Sequence, residues 1–143
     1  GTYRVSWGSL PPAAKEADDL AYIQAARKSL SEVEGDHKKL VERFVDKPDS
    51  RVPGVVRLLG ATLKNHMYSV SVLLTGKPKT AFNLRLDEMI PIVEEGVRSK
   101  GHFSAFYERV SNWNHVEGGG DYARETFTEG IAALGEIVHW RRN

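Results

Sequence analysis

The stretch Arg109-Val110-Ser111-Asn112-Trp113-Asn114-His115 joins a permanent cation to an imidazole six residues further on. A guanidinium keeps its charge and grips a phosphate in a fork. An imidazole takes or gives a proton near pH 7. At a helix terminus the two can face one crevice. His115 would then activate a ribose 2′-hydroxyl or protonate the leaving oxygen while Arg109 stabilises the charged phosphorane, which is metal-independent RNA cleavage. Asn112 is a polar group suited to orienting phosphate or imidazole. The same residues also have a purely structural use. Arg109 can pair with Glu108 or a neighbouring helix, and Asn114 and His115 can close a helix C-terminus, where the dipole favours a cation.

A second chemical signal is the distribution of charge. From Arg51 to Leu86 the chain carries Arg51, Arg57, Lys64, Lys77, Lys79 and Arg85 and no acidic residue. From Asp87 to Glu129 nine acidic residues outnumber four basic ones. A basic helix and loop invite phosphate, because neutralising several phosphates releases counterions. Arg57, Lys64, His66, Lys77 and Lys79 are therefore the candidate nucleic-acid contacts. Packing of acidic helices beside the basic one also accounts for the pattern, and oppositely charged neighbours are the commoner arrangement.

Other chemistries find less support. Gly118-Gly119-Gly120 lacks a following Lys-Ser/Thr, and Gly76-Lys77-Pro78-Lys79-Thr80 loses an amide to Pro78, so neither cradles phosphate. His37, His66, His102, His115 and His139 contain no pair at helical spacing, and no metal or other cofactor is expected. Zero cysteines exclude disulfides, thiolate sites and iron–sulfur clusters. No Gly-x-Ser-x-Gly elbow occurs.

The elements that must position these groups are helical. Ile23, Ala26, Leu30, Val33, His37, Leu40 and Phe44 recur every three or four residues, the seam of one long helix with a bend at Gly35. Val56, Leu59, Leu63, Met67, Val70 and Leu74 form the stripe of a second helix, stopped by Gly76 and Pro78. Pro91 predicts a kink or two short helices across residues 84–97. Phe103, Phe106, Tyr107, Val110 and Trp113 share a face of a fourth. Asp121 is a candidate N-cap for a fifth, which carries Tyr122, Phe127, Ile131, Leu134 and Val138 and runs to His139-Trp140-Arg141-Arg142-Asn143, where Trp140 closes the bundle or else stacks between basic groups in a nucleic-acid or partner contact. Before Pro12, alternating Tyr3, Val5 and Trp7 suggest an extended arm over residues 1–12. The expected fold is an all-α bundle of four to five helices spanning residues 13–143, preceded by that arm.

An Arg followed four to six residues later by His, on the penultimate helix of such a bundle, resembles the motif of HEPN domains. The likeness extends loosely to the second helix and its exit, Tyr68 to Thr80, and to the long amphipathic helix after the motif. The resemblance implies a homodimer whose two Arg/His pairs share an RNA-cleaving cleft, with Arg109 and His115 as the catalytic pair and Asn112 in support. Val110 stands where that family often has a polar residue.

The 143 residues are 41% hydrophobic, enough for one compact core, and 27% charged with a net charge of +1. No apolar run suggests a membrane helix, and no secretory signal is visible, so a cytoplasmic or other intracellular location is expected. The opening Gly in place of Met is what a piece cut from a longer chain would show. Two functions compete: an RNA-cleaving or RNA-binding domain of HEPN type, and a non-enzymatic helical module that binds a partner or nucleic acid within a larger assembly.

Overall fold

Leu59, Leu63, Met67 and Val70 are each completely buried, so the second apolar stripe is the centre of the molecule. A computed structural model describes the backbone of residues 12–115 and 120–143, and side chains over 18–114 and 120–143. Its helices are α1 (Pro12–Leu30), α2 (Val33–Val45), α3 (Val52–Thr75), α4 (Pro78–Phe82), α5 (Leu86–Val97), α6 (His102–Ser111) and α7 (Gly120–Arg142). Short 3-10 turns occupy Asp49–Arg51 and Trp113–His115. Among the described residues there is no strand, and the fold is an all-α bundle. The anticipated extended arm lies outside the described residues, apart from Pro12, which already belongs to α1.

The first helix is two. Its break falls at Ser31-Glu32 rather than at Gly35, which is helical and exposed within α2. Ser31 Oγ donates to Lys28 O at 2.5 Å, and Ser31 N–H is shared between the carbonyls of Arg27 and Lys28. Turning here lets both Leu30 and Val33 reach the core, at 2% and 0% exposure. Burial of two seam residues thus outweighs the propensity of the intervening chain.

α3 spans about 36 Å and packs against α1, α2, α5 and α7. Ser69, Ser71 and Thr75 donate to the carbonyls of Asn65, Met67 and Ser71, which satisfies hydroxyls on or near its buried face. Gly76, with φ of 63°, closes it, and Pro78 opens the one-turn α4 that the sequence does not announce. α5 runs unbroken through Pro91, against the expected kink. Asp87, whose carbonyl loses its partner to the ring, is exposed as is Pro91, so that carbonyl faces water. Glu88 accepts the Arg85 N–H at 3.1 Å and starts the helix cleanly.

α7 packs tightly against its neighbours at Gly130. A Cβ there would sit 2.6 Å from both Leu59 Cδ2 and Phe106 Cδ1. Phe44 and Phe127 stack at 4.0 Å between α2 and α7, and Arg124 ties α7 to Asp49 Oδ1 at 2.8 Å and to Lys47 O at 2.9 Å. α7 begins at Gly120, which places Asp121 in its first turn rather than at its cap. His37 is half-buried, with its Nε2 3.5 Å from where a Gly135 Cβ would sit.

Candidate nucleic-acid interface

Arg109 occupies the last turn of α6 and reaches across to α7. Its Nε donates to Thr126 Oγ1 at 3.0 Å, and its Nη2 donates to Tyr122 O and Glu125 Oε2, both at 3.1 Å. The guanidinium lies over the Tyr122 ring, 4.1 Å from its centroid. Tyr122 Oη in turn donates to Arg109 O at 2.7 Å. Trp113 meets the same ring edge-on at 5.6 Å. The side chain is 25% exposed. This is a reciprocal clamp between two helices, and Glu125 rather than Glu108 is the acid it uses. Asn112 caps the C-terminus of α6, its N–H bonded to Glu108 O at 3.1 Å. His115 ends the following 3-10 turn, and its side chain lies outside the described residues.

The five expected nucleic-acid contacts separate into three places. Arg57 and Lys64 lie two turns apart on one exposed strip of α3, about 10 Å from each other along the axis. Lys77 and Lys79 are exposed at α4, past the far end of α3 and roughly 30 Å from Arg57 along it. His66 is 3% exposed, and its Nε2 is 2.8 Å from Asp36 Oδ2 on α2. Its position one residue before Met67 puts it on the buried face, so its ring is not offered to a ligand. His66 Nδ1 is buried with no hydrogen-bond partner.

Between α3 and α6 runs a groove of about 470 Å³ that includes Arg57 and Lys64. Its wall is Gly60, Ala61, Tyr107, Val110 and Trp113, with Asn114 at the end. Among the described residues no carboxylate lines it. Tyr107 Oη donates to Gly60 O at 3.2 Å, and burial pushes its phenol above the usual tyrosine range. Phe106 holds the Tyr107 ring edge-on at 4.9 Å. Val110 remains 38% exposed. Tyr107, Val110 and Trp113 read in sequence as part of one packing face. The bundle buries only the Phe103 and Phe106 part of that face and leaves the rest as groove wall. The legible sign was an apolar face that continued a turn beyond Phe106.

Among the described residues no group of three or more His, Asp or Glu side chains gathers to hold a metal ion, and no helix is long and apolar enough to cross a membrane. Compared with protein-family models, curated proteins and solved structures, the chain matches none.

Proposed function

We propose that the protein is a non-enzymatic helical module that binds single-stranded nucleic acid, RNA included, in the groove between α3 and α6. The observation that carries this reading is the pairing of two cations with half-buried aromatic rings in a groove without a carboxylate. Cations two turns apart suit successive stretches of a phosphate backbone, while Trp113 and Tyr107 give unstacked bases an aromatic surface. A duplex keeps its bases stacked and makes no use of such a wall.

Binding is preferred to cleavage because of how Arg109 is used. A phosphate fork needs a guanidinium with its donors turned to substrate, and here Nε and Nη2 are bound to α7. A HEPN-type nuclease would also need two chains to bring two Arg/His pairs together. Incubation of RNA with the protein in EDTA separates the readings. Intact RNA is expected; cleavage that survives EDTA and disappears in His115→Ala would restore the nuclease.

The binding itself is measured by fluorescence anisotropy with a labelled single-stranded oligonucleotide over a salt series. Two phosphate contacts contribute a slope of about 1.4 in log affinity against log salt, and Arg57→Ala with Lys64→Ala should remove that much. Trp113→Ala should weaken binding roughly tenfold or more at constant slope, since stacking of one base is worth about 1–3 kcal/mol. Absent or salt-insensitive binding overturns the proposal.

A further inference from the structure

A larger cleft, about 810 Å³, lies between the end of α5, the start of α6 and the outer half of α7. That volume falls inside the range of about 300–1,000 Å³ common to small-ligand sites. Trp140, half-buried, forms part of its wall, and Arg98 and Lys100 are exposed at its rim. Neither cation is paired with a carboxylate among the described residues. The one carboxylate in the lining, Glu136, is already engaged. Its Oε1 accepts from Ser99 Oγ at 2.6 Å and its Oε2 from Lys100 N–H at 2.9 Å. Glu136 therefore anchors the α5–α6 loop on α7 and holds the two cations over the cleft. Of the two imidazoles in the lining, His102 is bound to Glu129 at 2.7 Å and His139 is exposed.

Arg98 is also the one non-glycine residue with positive φ among the described residues, at φ 56° and ψ 52°. It closes α5, with its N–H on Glu95 O at 3.3 Å and Ser99 N–H on Glu94 O at 2.8 Å. Glycine is the residue such a helix end favours, because a Cβ is strained there. A long cation is thus held in a strained conformation at the mouth of this cleft.

We infer that this cleft binds a small anion with a flat heteroaromatic body, of the nucleoside monophosphate class, with the phosphate on Arg98 and Lys100 and the ring against Trp140. The site is separate from the α3–α6 groove and uses none of its residues. Isothermal titration with AMP, inorganic phosphate and adenosine tests it. AMP should bind saturably, and each of the other two at least tenfold more weakly. Arg98→Gly relieves the strained cap, so its melting temperature should rise while its AMP affinity falls tenfold or more. Arg57→Ala with Lys64→Ala should leave AMP affinity unchanged. Failure of AMP to saturate at millimolar concentration overturns the inference. So does Arg98→Gly binding as the parent does, or adenosine or phosphate binding as tightly as AMP. Loss of AMP binding in the Arg57/Lys64 variant alone would move the site to the other groove.

Discussion

Arg109 shows how one side chain can be read in two ways from sequence, and its contacts display the structural one. The bonds to Thr126 Oγ1, Tyr122 O and Glu125 make it a fastener between α6 and α7. Its partial exposure limits the value of the ion pair, so most of its contribution comes from the half-buried bonds and ring contact. Arg109→Ala should cost about 2 kcal/mol in urea unfolding, and Arg109→Lys should not restore it, because an ammonium cannot span Nε and Nη2 positions at once. A residue serving only catalysis would leave the urea midpoint where it was. Tyr107 makes a second residue-level case. Its phenol is raised by burial, so the neutral form is favoured in the folded state. That stability is complete below the ordinary tyrosine value of about 10 and is lost as pH climbs towards the folded value. Tyr107→Phe should lower the melting temperature at neutral pH through loss of the Gly60 hydrogen bond, and the fall in melting temperature above pH 10 should be shallower than in the parent. His66 sits in a basic stretch of the sequence, whereas its partner, Asp36, comes from a different helix 30 residues away, which sequence spacing does not reveal.

At the scale of the elements, periodicity carried most of the fold. The stripe on α3 is spaced as its buried residues are, whereas on α6 only Phe103 and Phe106 of the expected face are buried. Leu74, the outermost of the α3 stripe, stays 39% exposed and fills the space above Gly96. What periodicity could not convey was a break between two buried residues. Leu30 and Val33 keep helical spacing across Ser31-Glu32, so the seam looks continuous where the backbone turns. The opposite error occurs at Pro91, where a breaker sits on a water-facing side and the helix absorbs it. Gly35 follows the same logic: no break is needed there, and nothing stands within 4 Å of a Cβ. Gly35→Ala should therefore stabilise the protein by about 1 kcal/mol, a rise of about 3 °C in a calorimetric scan.

Across the whole molecule α3 and α7 run in the same direction: Leu59 meets Gly130, and Leu73 shares a small cleft with Trp140. The α3–α6 groove thus lies by the first half of α3, while the cleft at Arg98 lies by the second half of α7. The charge asymmetry is legible in sequence, but its division into separated exposed patches is not, because helix length sets the separation. The α3–α6 groove sits beside the Gly130 crossing, whose neighbour Phe106 helps line it. Gly130→Ala puts a methyl carbon into fully buried Leu59 and Phe106 and should cost about 2 kcal/mol, with salt-dependent binding retained by the fraction still folded on native-state titration. The Gly130 backbone lies directly against the Leu59 and Phe106 side chains, and this leaves the position no alternatives. A saturation library should accept nearly any residue type at Gly35 and almost none at Gly130, so one of two chemically identical residues is free to drift while the other is immutable.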